Sequence, residues 1–342
     1  MNIDPSSSFA LLADVGGTNA RFALADTRGE TPRMLESRSL QNADFASLQH
    51  AIEHYLDSVG VRPRVAAIAV ACPVDADEIR LTNRAWSFSR RELAAALGFD
   101  RLHLLNDFGA VAWAIPGLAG GDLVTLHDTG SSPATRGPVS VLGPGTGLGV
   151  ALLHGDCDDG WHVIETEGGH VSFAPQGEEE RQIERWMSAR HGRTSNERLL
   201  CGKGLSELDA IMRGVPAIPR SGPVQPGEAV SMDIELRHPA SIVAAALDGH
   251  DLAARQALAR FCAVLGSVAG DCALIHGARH VVIAGGITPR FIPFLRSSAF
   301  RERFLAKGRF AAHLERVGVH VITHPHPGLL GAAMHLHEVD LR

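Results

Sequence analysis

Residues 11–21 read LLADVGGTNAR. An apolar run from Phe9 to Val15 stops at Gly16-Gly17-Thr18, and a second apolar run, Ala20–Ala25, begins at once. Strand, tight glycine turn, strand is the pattern of a β-hairpin. The pattern returns further along. Shifted by 128 positions, LLADVGGTNARFAL lies over VSVLGPGTGLGVAL at 139–152, with Gly17 on Gly145, Thr18 on Thr146, Ala23 on Ala151 and Leu24 on Leu152. Two such hairpins predict two related half-domains whose turns face each other across a cleft.

Around these hairpins the sequence reads as α/β. Val65–Ala71, Leu102–Leu105 and His280–Ala284 are short continuous apolar runs of the kind that form buried strands. Ser89–Leu97, Glu178–His191, Ser241–Leu247 and Leu252–Ile275 have helical spacing, and Gly328–His337 is a C-terminal helix announced by Pro325 and Pro327. Residues Ala119–Pro138 are rich in Gly, Ser, Thr and Pro and predict loops around at most one short strand.

The chain has 342 residues, enough for about two domains. It holds 36 glycines, above the usual share of about 7%. A net charge of −6 with no Lys/Arg run speaks against nucleic acid as a partner. Five scattered cysteines without a CxxC pair read as reduced thiols of a cytoplasmic protein. No secretory signal is evident near Met1–Ser8. The stretch Phe261–His276 is interrupted by Asp271 and is too short for a membrane span, so it is expected to be a buried helix and no membrane association is expected.

The glycine turns match neither familiar nucleotide motif. G-x-G-x-x-G fails because the sixth position from Gly143 is Leu148 and from Gly145 is Val150, and a strand follows instead of a helix. The P-loop fails because Gly202-Lys203 is followed by glycine. Turns between antiparallel strands can still aim several backbone N–H groups at phosphate oxygens, with Thr18 and Thr146 adding hydroxyls. Asp14, just before the first turn, is either a turn-capping carboxylate or, beside phosphates, a holder of Mg²⁺ directly or through water.

These motifs bring a family into view. LLADVGGTNAR resembles the first phosphate motif of the superfamily of sugar kinases, actin and the heat-shock ATPases. GPGTGLGVA resembles its second phosphate motif and VVIAGGITPRF its adenosine motif. Within it the chain resembles the bacterial glucokinase family. AVACPV (69–74), LTNRAWSFS (81–89), LNDFGAVAWAIP (105–116), EGGHVSFAP (167–175), SNERLLCGKGL (195–205), KGRF (307–310) and HPGLLGAA (326–333, similar to NPGLLG) follow in family order over nearly the whole chain.

The resemblance implies a two-domain ribonuclease H-like fold of the actin/hexokinase type, with the active-site cleft between domains. The expected split is 1–107 plus 327–342 against 108–326. It implies ATP-dependent phosphorylation of glucose at its 6-hydroxyl, feeding glycolysis, with Mg²⁺ near Asp14 and a homodimer as the assembly. Asp107 would be the general base, and Asn106, Asp107, Glu167, His170 and Glu197 would bind glucose. Ala13, Asp14, Val15, Gly16, Gly17, Thr18, Gly145, Thr146, Gly147, Gly285 and Gly286 would surround the nucleotide. Thr82 and Asn83 are further candidates on the sugar side.

Taken alone, Asp107 would pass as a helix N-cap and Glu197 as part of a capping box from Thr194. Carboxylates, amides and neutral imidazole nevertheless suit a site that must read several hydroxyls and deprotonate one. His320, His324 and His326 lack metal-ligand spacing and read as a surface turn, and His170 is followed by VSFAPQG without a cysteine, so no zinc is expected. Two other readings belong to different classes. One is a sugar-sensing regulator without catalysis, against which stands the lack of a basic helix-turn-helix pattern. The other is an actin-like ATPase with protein partners, against which stand the EGGH and NER motifs.

Overall fold

A computed structural model of the chain describes residues 9–26, 29, 32–81, 86–217 and 235–340. The first hairpin forms as read: β1 (Phe9–Val15) and β2 (Asn19–Asp26), followed by β3 (Arg33–Gln41) and helix α1 (Leu48–Val59). Then come β4 (Val65–Val70), a small ribbon of β5 (Glu78–Arg80) and β6 (Ser87–Ser89), α2 (Arg90–Leu97), β7 (Arg101–Asn106) and α3 (Asp107–Ala114). Ser89 caps α2 by accepting from the Glu92 N–H, and Gly98 closes it in the left-handed conformation.

A single strand, β8 (Leu123–His127), lies in the glycine- and proline-rich stretch. The second hairpin is β9 (Val139–Pro144) and β10 (Leu148–Asp156), continued by β11 (Gly160–Thr166). Helices α4 (Gly177–His191), α5 (Asn196–Leu199), α6 (Gly202–Met212), α7 (Pro239–Asp248) and α8 (Leu252–His276) follow. The chain closes with β12 (His280–Ile283), α9 (Ile292–Ser297), α10 (Phe300–Leu305), α11 (Ala311–Leu314), β13 (Gly318–Ile322) and α12 (Pro327–Asp340). The apolar α8 runs for 25 residues, long enough to cross a membrane, yet most of its length is buried against the core. It matches the helix read at Leu252–Ile275, and Asp271, paired with Lys307 at 2.6 Å on the helix surface, does not interrupt it.

The two halves share one topology. The first sheet has the order β3-β2-β1-β4-β7 and the second β11-β10-β9-β12-β13-β8. In each, an antiparallel meander precedes two parallel strands reached by crossovers. The internal similarity read from the sequence is therefore a structural duplication, with a one-residue adjustment. Val15 pairs with Ala20 across four residues, whereas Pro144 pairs with Leu148 across three. The shift of 128 is right for β2 over β10 and slips by one for β1 over β9.

Alternation along β1 divides two cores. Leu11, Ala13 and Val15 pack with Ile52, Tyr55 and Leu56 of α1, while Ala10 and Leu12 face a core shared by both halves. That shared core is built around α3 and α12. Each follows the last parallel strand of its own half and packs mainly on the other: α3 on β10 and β11, α12 on β1 and β4. The helices cross at Gly331, where a Cβ would lie 1.6 Å from the Ala110 carbonyl oxygen. A third core surrounds α8 with α6, α7 and α10.

The Gly331 crossing yields a stability prediction. Gly331→Ala forces the helices apart and should lower unfolding free energy by about 1–3 kcal/mol, the usual cost of overpacking. Gly121→Ala, with open space around it, should stay within about 0.5 kcal/mol. Urea midpoints of the two variants decide this; equal midpoints would show that the helices do not meet at Gly331.

Candidate active site

The first glycine turn is held from behind. The Gly16 N–H donates to the Asn19 carbonyl (3.0 Å), and Asn42 donates its side-chain amide to the Gly16 carbonyl (2.8 Å) and its backbone N–H to Thr18 (2.9 Å). The second turn is built likewise: Gly145 N–H to the Gly147 carbonyl (2.8 Å), and the N–H of Gly202, the first residue of α6, to the Gly145 carbonyl (2.9 Å). Gly17, Thr18 and Thr146 lie exposed at the tips. The turn at Gly285-Gly286 adjoins the second one. Gly285, at φ +97°, packs so close that a Cβ would lie 2.1 Å from the Pro144 carbonyl oxygen, while Gly286 faces open space.

Asp14 lies one residue before the end of β1, beside its cross-strand neighbour Arg21, whose guanidinium is 3.3 Å from the carboxylate. Gly328, in the first turn of α12, lies against that carboxylate, and a Cβ there would come 2.8 Å from its carbon. Ala13 and Val15 on the same strand are fully packed away. Burial raises the Asp14 pKa, with Arg21 and then His326 pulling the other way. His326, in a turn where its N–H bonds back to the His324 ring (3.1 Å), stands near Asp14 and Arg21, and burial lowers its pKa. His320 is separate, buried in β13 with its Nε2 3.2 Å from His280 Nδ1. The three histidines do not converge.

At the end of β7, Asn106 is the N-cap of α3. Its side-chain oxygen accepts from the N–H groups of Phe108 (2.9 Å) and Gly109 (3.3 Å), and its amide reaches the Cys72 carbonyl at 3.4 Å. The capping role falls on Asn106, so Asp107 is released as the first helical residue, accepting from the Phe108 N–H at 2.9 Å. Burial raises the Asp107 pKa to about 6; the Phe108 N–H opposes this, and the charges of Asp14 and Glu167 add to it.

Phe108 anchors Asp107. Its ring fills the space that side chains at Gly143 and Gly149 would take, with Cβ positions 2.7 and 1.9 Å from ring carbons. Those two glycines therefore serve packing, and only 145–147 of the run 143–149 form the turn. Gly169 likewise packs on the Leu148 carbonyl. Glu165 went unnoticed in the sequence reading. Its carboxylate accepts the Asn106 N–H (2.9 Å), tying β11 to the start of α3.

Glu167, His170 and Glu197 converge. His170 lies between the two acids, 3.8 Å from Glu167 and 3.7 Å from Glu197. The segments carrying them are strapped together by Asn196 N–H to Val171 carbonyl (2.9 Å) and Phe173 N–H to Thr194 carbonyl (3.1 Å). Ser195, not Thr194, caps α5, accepting from the Arg198 N–H. Glu197 instead accepts from Leu148 N–H at 2.9 Å and covers Gly147, where a Cβ would come 2.4 Å from its oxygen. It joins the histidine to the second glycine turn. Thr82 and Asn83 lie outside the described residues.

One end of the cleft thus offers backbone N–H groups on two turns, and the other offers carboxylates and an imidazole, with Asp107 between them. The sequence profile of the family described as Glucokinase matches residues 11–339. A glucokinase of Stenotrophomonas maltophilia (strain R551-3) is 43% identical over 343 residues, covering 98% of this chain and 97% of that protein. The crystal structure of a glucokinase from an Antarctic psychrotroph superposes with a TM-score of 0.80 at 34% identity, over 96% of this chain and 99% of that one. That of the Balamuthia mandrillaris glucokinase in complex with glucose gives 0.76 at 20% identity, over 96% and 93%, a likeness of fold. With the duplicated sheets, the paired turns and these matches along almost its entire length, the chain belongs to the glucokinase family.

Proposed function

We propose that this protein transfers the γ-phosphoryl group of ATP to the 6-hydroxyl of glucose, with Asp107 as the general base. The observation that carries the reading is Asp107 itself: a partly buried carboxylate with a pKa raised to about 6, between the glycine turns and the Glu167–His170–Glu197 cluster. A base of that strength is ionised at neutral pH yet basic enough to accept a proton as the new bond forms.

In this reading Glu167, His170, Glu197 and the free hydrogen of the Asn106 amide hold the sugar hydroxyls. Each acid accepts two, so the ring is read by direction as well as by reach. The N–H groups of Gly17, Thr18, Thr146 and Gly147 receive the β- and γ-phosphates, and Gly285-Gly286 gives the adenosine a surface without side chains. Phosphoryl transfer asks for in-line positioning and charge stabilisation more than for covalent chemistry. Glucose 6-phosphate, the product, is the form in which glucose enters glycolysis.

Mg²⁺ suits Asp14. Among the described residues no group of three or more His, Cys, Asp or Glu is placed to hold a metal ion, so an all-protein cage is not offered. A single carboxylate beside phosphate-binding N–H groups fits an ion that takes most of its ligands from water and phosphate oxygens. When bound, it would neutralise charge on the phosphates; Asp14, directly or through water, would hold it.

The working parts divide as 1–107 plus 327–342 against 108–326. Support comes from α12, which packs on the first sheet, and from α3, which packs on the second. Closure of the two about this crossed pair would exclude water from the reacting hydroxyl.

Three measurements test the reading. A coupled assay for the 6-phosphate should show glucose as the preferred acceptor over mannose, fructose and N-acetylglucosamine; binding without turnover would favour a sugar-sensing role. Asp107→Asn should cut kcat by at least a thousandfold and leave glucose affinity within about tenfold, while wild-type kcat should fall tenfold per pH unit below about 6. The third is a stability measurement. Because the folded pKa of Asp107 lies above its unfolded value, its contribution is full below pH about 4 and is lost as pH rises through about 6. Asp107→Asn should therefore be more stable than wild type by up to about 3 kcal/mol at pH 7.5, and the gap should close by pH 4.

A further inference from the structure

We propose that Asn42 is a positioning residue that aims the first glycine turn at the phosphates; this rests on the reading of that turn as a phosphate cradle. Asn42 follows β3 and is fully buried beneath the turn. The two bonds it donates go to the carbonyls of Gly16 (2.8 Å) and Thr18 (2.9 Å). In a trans peptide the carbonyl and the following N–H point in opposite directions. Drawing the Gly16 carbonyl inward therefore turns the Gly17 N–H outward, to the exposed tip of the turn. Glycine at 16 and 17 leaves this peptide plane free to rotate unless something holds it. The side-chain amide of Asn42 is what holds it.

Two further observations point the same way. The second turn has the matching bond from another source: Gly202 N–H pulls the Gly145 carbonyl inward and so presents the Thr146 N–H. Both halves of the duplication thus pin the first carbonyl of the turn from behind, one with a side chain and the other with a helix start. The second observation is a cost. The Asn42 side-chain oxygen is buried and takes no partner among the described residues. An unpartnered buried acceptor is destabilising, so packing alone does not account for an amide here. Its donor, spent on Gly16, does.

The test separates phosphate contacts from the rest of the nucleotide. Dissociation constants for ATP and for AMP are measured by titration calorimetry without glucose, and the KM for glucose by coupled assay. Asn42→Ala should weaken ATP about five- to tenfold, the worth of one hydrogen bond, and leave AMP and the glucose KM within twofold. Asn42→Asp keeps the volume for a case where alanine does not fold, and its carboxylate, unable to donate to Gly16, should show the same ATP-selective loss. Equal loss of ATP and AMP, or no loss in either, overturns the proposal. Gly17→Pro, which deletes the outward N–H itself, is the control on the underlying reading. If it leaves ATP affinity intact the cradle is misplaced; if it weakens ATP while both Asn42 variants bind normally, the cradle stands and Asn42 does not aim it.

Discussion

Helix α3 is held where side chains are missing. On one side Gly331 lets α12 approach until backbone touches backbone; on the other, Gly143 and Gly149 leave a slot for Phe108. Nothing soft lies between these contacts, so the start of α3 has little freedom relative to either sheet. Asp107 stands at that start, next to the ring in the slot. Its distance from the second glycine turn is thereby fixed by packing.

The same crossing explains how two similar halves make one site. Each half ends its parallel strands with a helix that packs mainly on the other half. The exchange brings Asp107 to the second hairpin and sets Gly328 against Asp14 at the first. A carboxylate thus stands by each turn. Glu165 and Glu197 add polar ties across the same space, from β11 to Asn106 and from α5 to Leu148. Burial at this convergence raises the Asp107 pKa, and the charges of Asp14 and Glu167 add to it.

Much of the fold was legible because its signals are local. Hairpins at 9–25 and 139–153, the buried runs at 65–71 and 280–284 and the Ser89 cap each depend on a few adjacent residues, and the structure has them in place. The roles of individual glycines were less legible. Gly143 and Gly149 look like parts of a phosphate loop in the sequence, yet they face an aromatic ring that enters from 35 residues upstream of the first of them. Asn42 and Glu165 could not be found by motif, because their partners, Gly16 and Asn106, lie 26 and 59 positions away. That the turn at His326 stands beside Asp14 is visible only once α12 is placed.

By itself the sequence determined the paired hairpins, several buried strands and long helices, and the resemblance to the family, since apolar periodicity and ordered motifs survive without coordinates. Tertiary structure decided which residues share a site. It made Asn106 rather than Asp107 the cap of α3, gathered Glu167, His170 and Glu197, and gave Asp107 its raised pKa. The physical reason is range. Propensity and capping act over a turn or two of chain, whereas desolvation, charge coupling and the room a missing Cβ leaves depend on what the folded chain brings together in space.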